Sequence, residues 1–296
     1  MSEHLVWERD GHDWPNRDAS RFVKVAGMRW HVQVMGQGPV ALLLHGTGAA
    51  THSWRDLAPL LAQAFTVVAP DLPGHGFTVA PSDDVLSLPG MAGALGALLQ
   101  TLAVEPALGI GHSAGAAILI RMTLDKLMSP RGLVSLNGAL LPFEGVAGQI
   151  FSPIARALFT TAVAARLFAW RAEDKAVVRR LVDSTGSKID PAGVELYRRL
   201  ASNPGHVHAA LGMMANWDLH RLRRELPRLA VPLLLIAGGN DRTVSPDEAF
   251  RVRDIIPDSK IDYLRGLGHL AHEERPQEIA AIIKRFAAGL GLLPVR

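Results

Sequence analysis

A serine between small residues is the strongest chemical signal in this sequence, in the pentapeptide Gly-His-Ser-Ala-Gly at residues 111–115. Serine in a G-x-S-x-G pattern acts as a nucleophile when it occupies a sharp turn between a strand and a helix. The glycines leave room for that turn, which exposes the hydroxyl and points the N-terminus of the next helix toward an anion. Residues 107–110 are apolar enough for a buried strand, and a helical pattern begins at Ala114. We therefore predict that Ser113 attacks an acyl carbon.

Two residues further along the chain are candidates for the base and the acid that such a serine needs. A serine hydroxyl is a poor nucleophile near neutral pH, so it requires a base within hydrogen-bond reach and an acid that orients this base. His269 follows Gly-Leu-Gly at residues 266–268, and Asp241 follows Gly-Gly-Asn at residues 238–240. We predict His269 as the base and Asp241 as its orienting acid. His272 is the second choice for the base.

Acyl transfer also needs backbone donors that are already in place for the developing oxyanion. The amide of Ala114 comes directly after the nucleophile and is the first expected donor. The sequence His-Gly-Thr-Gly at residues 45–48 follows an apolar run, and its two glycines let the backbone approach a bound carbonyl group. We assign the second donor to the amide of Thr47.

Two other chemistries match parts of the sequence. Residues 109–114 fit the loose dinucleotide fingerprint G-x-G-x-x-[GA], but that site needs an acid at the end of the next strand, where this chain has Asn137. Twelve histidines raise the question of a catalytic metal. Neither His206/His208 nor His269/His272 has the E-x-x-H or D-x-H pattern that completes a familiar metal site. We therefore expect neither a cofactor nor a metal.

The elements that must position these residues follow one another as strand, then helix. Residues 21–25 and 29–34 alternate like a half-buried antiparallel pair, whereas the later apolar runs are continuous, as in strands covered on both faces. This order predicts an α/β fold with an eight-stranded, mostly parallel sheet and helices on both faces. The later strands are predicted at residues 40–44, 66–69, 107–110, 133–136, 231–237 and 260–264, and the helices at residues 54–64, 88–103, 114–127, 246–256 and 276–288.

The repeat is interrupted once, at residues 138–230, by helical and loop patterns without a buried strand. We predict that this segment is an inserted helical lid and that residues 1–137 and 231–296 form the core. Residues 139–230 carry 13 Lys and Arg against 8 Asp and Glu, which leaves a net charge of −2 for the rest of the chain. The basic character of the protein is therefore concentrated in the lid.

The composition excludes several classes of protein. With 296 residues, 48% of them hydrophobic and 20% charged, the chain can bury a sizeable core and is not disordered. The absence of cysteine excludes disulfides, thiolate metal ligands and a cysteine nucleophile. The first residues lack a signal-peptide pattern, so we expect a cytoplasmic location. The net charge of +3 is dispersed, which argues against nucleic-acid binding, while contact of the basic lid with anionic lipid headgroups stays open.

Taken together, the motifs resemble the α/β-hydrolase superfamily over nearly the whole chain. They are HGTG at residues 45–48, DLPGHG at 71–76, GHSAG at 111–115, GNDR at 239–242 and GH at 268–269, and their Ser, Asp, His order is typical of that superfamily. Residues 45–78 also resemble the magnesium-chelatase accessory hydrolases of bacteriochlorophyll biosynthesis. The resemblance implies a role in a pigment pathway, with a magnesium-chelatase subunit as a candidate partner. Some relatives carry the triad acid after the strand that precedes the lid, where this chain has Asn137.

The lid decides which small molecule can bind. Its large apolar side chains either pack the lid onto the core or line a broad cleft for an apolar carbonyl substrate such as a tetrapyrrole, with Arg156, Arg166 and Arg171 available for carboxylates. Three functions stay open: an ester hydrolase of pigment synthesis, a general carboxylesterase or carbon–carbon bond hydrolase, and a non-catalytic tetrapyrrole-binding accessory protein. The residues predicted to contact substrate are His45, His112, Trp54, Phe151, Met213 and Trp217.

Overall fold

A single eight-stranded sheet organises the computed structural model, which describes residues 4–80, 82–142 and 161–294. The strands are β1 (Ser20–Val25), β2 (Met28–Met35), β3 (Val40–Leu44), β4 (Thr66–Pro70), β5 (Leu108–His112), β6 (Gly132–Leu136), β7 (Leu233–Gly238) and β8 (Lys260–Leu264). Their order across the sheet is β1-β2-β4-β3-β5-β6-β7-β8. Strand β2 pairs antiparallel with β1 and β4, and the other neighbours pair in parallel. The predicted fold class is confirmed.

The register of the parallel strands brings their carboxyl ends to one edge of the sheet. Leu44 at the end of β3 lies opposite Gly111 in β5, and His112 lies opposite Leu136 at the end of β6. Leu136 in turn lies opposite Ile236 in β7. The loops that follow these strands therefore meet at the same edge, where open α/β sheets build their sites.

Helices cover both faces of the sheet. They are α1 (Trp7–Asp10), α2 (Leu57–Leu61), α3 (Leu88–Leu102), α4 (Ala114–Leu124), α5 (Ala162–Arg171), α6 (Lys175–Ser184), α7 (Pro191–Ala201), α8 (Pro204–Ala215), α9 (His220–Glu225), α10 (Asp247–Ile255), α11 (Ala271–Glu274) and α12 (Pro276–Gly289). Apolar residues of α3, α4 and α10 form the core on one face, and those of α2 and α12 form the core on the other. The continuous apolar strands between the two layers are buried from both sides, as their sequences require.

Helices α5 to α9 belong to the segment predicted as a lid, and described residues 161–230 contain no strand. Four of these helices begin where a polar side chain accepts a backbone N–H of the first turn, an interaction that contributes about 1 kcal/mol each. The capping residues are Thr161, Asp174, Asp190 and Asn203. The lid boundaries at residues 138 and 230 stay a prediction. Within the three described stretches, the helices are too short or too polar to cross a bilayer.

A buried charged group fastens helix α7 to the core. Arg55 donates to Glu273 of α11 at 2.5 Å and to Asp190, the capping residue of α7, at 2.8 Å. Tyr197 of α7 donates to the second oxygen of Glu273 at 2.7 Å. Burial raises the pKa of Glu273, and the adjacent guanidinium of Arg55 opposes that rise. The Arg55–Glu273 ion pair itself lies within the core, with side chains that are 9% and 0% exposed, and Asp190 and Tyr197 attach α7 to it.

Candidate active site

Ser113 lies in a strained turn between β5 and α4. Its backbone has φ 51° and ψ −119°, a left-handed region that non-glycine residues enter rarely and mostly where function demands it. A Cβ at Gly111 would collide with the backbone of Ala116, and a Cβ at Gly115 would collide with the carbonyl oxygen of Leu44. Both positions therefore require glycine, and the predicted strand–turn–helix setting of the GHSAG sequence is present.

His269 and Asp241 form a short hydrogen bond at the same edge of the sheet. The distance from Nδ1 of His269 to Oδ2 of Asp241 is 2.7 Å. The other carboxylate oxygen accepts the backbone N–H groups of Thr243 at 2.8 Å and Val244 at 2.9 Å. Because an ionised carboxylate has no proton to donate, Nδ1 must carry the hydrogen, and the neutral imidazole then has its lone pair on Nε2. The structure thus brings together two of the three predicted triad residues in the tautomer that a general base needs.

Asn137 fixes the backbone beneath this pair. Its amide nitrogen donates to the carbonyl oxygens of Gly268 at 2.9 Å and His269 at 2.7 Å, and its oxygen accepts the N–H of Gly238 at 2.7 Å. The sequence showed Asn137 as a place where an acid is missing, and it did not reveal this role. The available signal was its position directly after β6, level with the loops that carry the acid and the base.

The loop after β3 runs directly beside Ser113. A Cβ at Gly46 would lie 3.0 Å from the Cβ of Ser113, and Gly48 has φ +75°. Between them, Thr47 donates its hydroxyl to the sulfur of Met213 in α8 at 3.3 Å. Ala114 is the first residue of α4, where a backbone N–H has no acceptor within its own helix. The assignment of the Thr47 and Ala114 amides as oxyanion donors stays a prediction.

His206 of the lid helix α8 hydrogen-bonds to the loop after β3 and to the loop after β4. The Nε2 of His206 donates to the carbonyl oxygen of Gly48 at 3.1 Å, and its Nδ1 accepts the N–H of Gly76 at 3.1 Å. These two contacts define a neutral imidazole that links two core loops to α8. Burial lowers the pKa of His206 to about 4, which keeps it in this neutral form near pH 7.

The predicted substrate contacts occupy different places around the site. His45 is fully buried and uses both ring nitrogens on the backbone, donating to Gly46 at 2.8 Å and accepting from Leu72 at 2.9 Å. His112 lies beside the loop that carries His269, and its Nε2 donates to the carbonyl oxygen of His269 at 3.0 Å. Both histidines thus hydrogen-bond to the backbone of loops at this edge of the sheet, and their contact with a substrate stays a prediction.

Three other residues predicted to contact substrate, Trp54, Met213 and Trp217, are buried or partly buried. Trp54 is buried against the ring of His272, with 4.8 Å between the ring centroids. Met213 is fully buried beside Thr47, and Trp217 is partly buried in the apolar core around α3 and α4. Phe151 lies outside the described residues, as does Arg156. Whether these side chains touch a substrate stays a prediction.

His272, the second choice for the base, is engaged elsewhere. Its Nε2 lies 2.8 Å from the hydroxyl oxygen of Ser53, which donates to Glu273 at 2.7 Å. Burial, with smaller contributions from His269 and Arg55, lowers the pKa of His272 to about 3. A histidine so weakly basic is a poor acceptor for a serine proton near neutral pH, and this favours His269.

A second Ser, His and Asp arrangement lies away from the GHSAG turn, and the sequence did not reveal it. His31 contacts Asp71 through Nδ1 at 2.7 Å and Ser20 through Nε2 at 2.9 Å. Although burial raises the pKa of Asp71, the adjacent His31 and the N–H of Phe77 hold it well below its usual range. Ser20 has ordinary extended backbone and lies outside any strand-to-helix turn. Asp71 also accepts the N–H of Thr51 at 2.7 Å. This group of residues therefore stabilises the loops after β3 and β4.

Potential metal ligands are scattered around the site. Across the part of the chain that the structure describes, no three His, Asp or Glu side chains converge as ligands for a metal ion.

The family model of the alpha/beta hydrolase family matches residues 41–282. This chain belongs to the α/β-hydrolase family. The match includes the loop after β3, the Ser113 turn and the loops that carry Asp241 and His269. The resemblance noted in the motifs is therefore confirmed.

One sequence relative and two solved structures are similar to this α/β hydrolase over most of its length. It is 40% identical over 279 residues to the magnesium-chelatase 30 kDa subunit of Rhodobacter capsulatus, covering 94% of this chain and 97% of that protein. The solved structure of the epoxide hydrolase CorEH superposes with a TM-score of 0.75 at 22% identity, covering 92% of this chain and 99% of the other. The CarC enzyme, a serine hydrolase involved in carbazole degradation, superposes with a TM-score of 0.73 at 22% identity, covering 91% and 98%. The structural likenesses establish the fold, and the family supports a hydrolase.

Proposed function

We propose that this protein is a serine hydrolase in which Ser113 is the nucleophile, His269 the general base and Asp241 the residue that orients the base. The observation that carries the proposal is the 2.7 Å hydrogen bond between His269 and Asp241 at the sheet edge where Ser113 occupies a strained turn. Strain at a turn and a buried imidazole–carboxylate pair are both costly, and their coincidence is typical of a catalytic site.

The proposed reaction has two steps. Nε2 of His269 takes the hydroxyl proton as Oγ of Ser113 bonds to the carbonyl carbon, and the amides of Thr47 and Ala114 stabilise the oxyanion. The oxyanion collapses, the carbon–oxygen bond to the alcohol breaks, and the alcohol leaves with the proton from His269. Water then attacks the acyl-enzyme with the same histidine as base, which releases the acid and restores the serine hydroxyl.

We infer that the substrate is an apolar carbonyl compound, with a tetrapyrrole ester as the leading candidate. This inference is supported by 40% identity to a protein named as a magnesium-chelatase subunit and by the excess of positive charge in residues 139–230. Arginine side chains suit the carboxylates that such pigments carry. We further propose that the protein acts in the cytoplasm. It would contact a magnesium-chelatase subunit or an anionic membrane surface transiently.

The test compares the wild-type protein with Ser113→Ala in two assays. We expect hydrolysis of tetrapyrrole methyl esters or of simple aryl esters by the wild type, and a loss of at least a thousandfold in the variant. In a strain that lacks the gene, the wild type should restore pigment and the variant should not. Pigment restored by Ser113→Ala would favour the non-catalytic tetrapyrrole-binding function, and activity on aryl esters without any effect on pigment would favour a general esterase.

A further inference from the structure

The turn between α6 and α7 of the lid touches both catalytic loops at once. The carbonyl oxygen of Thr185 accepts the N–H of His269 at 3.3 Å and the N–H of Arg242, the residue after Asp241, at 3.1 Å. One lid carbonyl therefore bridges the backbone of the proposed base and the backbone beside its acid. This bridge is independent of the core hydrogen bonds that Asn137 makes to the base loop.

A lid side chain adds a third contact. The hydroxyl oxygen of Ser187 accepts the N–H of Leu270, the residue after His269, at 2.8 Å. Ser187 is 1% exposed, so the hydrogen bond is shielded from water and Leu270 would lose its acceptor if the hydroxyl were removed.

The backbones of the lid turn and the catalytic loops are in direct contact. Gly186 has φ +84°, and a Cβ there would collide with the carbonyl oxygen of Asn240. A Cβ at Gly268 would collide with the backbone of Gly186. Glycine on both sides lets the lid carbonyl reach the two loops, because a larger residue at either position would push the lid turn away.

We propose that residues 185–187 of the lid form a positioning element for the His269–Asp241 pair, with Ser187 as its side-chain contribution. The inference rests on the proposed function, since it concerns the same base and acid. A 2.7 Å hydrogen bond is sensitive to small shifts, and misplacement of a catalytic group by an ångström can cost about a hundredfold in rate. The lid thus contributes to catalysis through the position of His269 and Asp241.

The test replaces Ser187 by Ala and, as a matched control, Ser184 by Ala. Ser184 is exposed and donates within its own helix to Leu181 at 2.6 Å. We expect Ser187→Ala to lower kcat for an aryl ester roughly tenfold with KM unchanged within about twofold, and Ser184→Ala to leave both unchanged. The downfield proton resonance of Nδ1–H in His269 should broaden or shift in Ser187→Ala and stay in place in the control.

A second variant covers the case in which Ser187→Ala does not fold. Ser187→Cys keeps the shape of the side chain and weakens the acceptor, so it should give a smaller loss of kcat in the same direction. Equal kcat values and equal His269 resonances in the wild type, Ser187→Cys and Ser184→Ala would overturn the proposal. A wild type without ester hydrolysis and without the downfield resonance would instead count against the triad itself.

Discussion

Replacing Asp241 by Asn tests whether the His269–Asp241 hydrogen bond sets the tautomer of His269, the proposed base. In the wild type, the carboxylate accepts one hydrogen bond from His269 and two from the turn that contains Thr243 and Val244. The asparagine side chain has one oxygen and one amide nitrogen in their place. Turning the nitrogen toward the two turn N–H groups would leave both of them unpaired at about 1–3 kcal/mol each, so the oxygen should face the turn.

The amide nitrogen then faces Nδ1 of His269 and donates to it. Nδ1 must give up its hydrogen, which moves to Nε2, and the imidazole can no longer take the proton of Ser113. A tautomer change of this kind lowers kcat by about 10⁴ in a well-studied serine protease, and the same loss here corresponds to roughly 5 kcal/mol in the barrier. Because the turn keeps both hydrogen bonds, the free energy of unfolding should change by less than about 1 kcal/mol.

The assay measures kcat for an aryl ester and the rate at which a fluorophosphonate labels the protein. Both should fall by three to four orders of magnitude in Asp241→Asn, while urea unfolding stays close to that of the wild type. Asp258→Asn, at an exposed position, is the matched control and should behave like the wild type. A kcat within tenfold of the wild type in folded Asp241→Asn would refute the tautomer argument.

Three further outcomes are expected. Asn137→Asp would place carboxylate oxygens against the carbonyls of Gly268 and His269, so urea unfolding should show a loss of several kcal/mol, and an unchanged midpoint would contradict the role given to this residue. Arg55→Met would leave Glu273 buried without its partner and should lower the free energy of unfolding by about 3–5 kcal/mol. The double variant Arg55→Met with Glu273→Leu should recover part of that loss. Equal stability of the wild type and both variants would argue against the buried pair. His206 has a pKa of about 4 in the folded protein against an ordinary 6.5, so the unfolded chain binds its proton first, and up to roughly 3 kcal/mol of stability present above pH 6.5 should be lost as the pH falls to 4. His206→Gln should lose less stability over that interval in urea titrations, and a wild-type slope in the variant would show that His206 is not its source.

Local patterns in the sequence predicted what depends on near neighbours. The apolar runs predicted all eight strands to within two residues of the observed ends. The GHSAG turn was predictable because Gly111 and Gly115 are required by the turn itself. The pairing of His269 with Asp241 followed from their positions after two strands whose carboxyl ends share one edge.

Contacts between distant parts of the chain could not be predicted in this way. Asn137 acts on a loop 131 residues further along, and Ser187 reaches Leu270 across 83 residues. His31 and Asp71 are joined only by the antiparallel packing of β2 against β4. Such pairings depend on the strand order of the sheet and on where the lid lies over it, and no spacing in the sequence carries that information.

The orientation of the buried histidines His45 and His112 could not be predicted from the sequence either. His45 and His112 follow β3 and end β5 at the functional edge, so the sequence favoured substrate contact for both. The structure shows each of them hydrogen-bonded to the backbone of a loop that carries predicted site residues. Whether an imidazole at that edge turns toward a ligand or toward a loop depends on side-chain packing beneath the sheet edge, which the sequence pattern leaves undetermined.

The most direct test of a nucleophilic Ser113 is to identify the residue that a fluorophosphonate modifies. The protein offers its own internal control, because Ser20 also lies beside a histidine that contacts an aspartate. We expect mass spectrometry to find the label on Ser113, Ser20→Ala to be labelled like the wild type, and His269→Ala to remain unlabelled. A label on Ser20, or none on a folded wild-type protein, would contradict it.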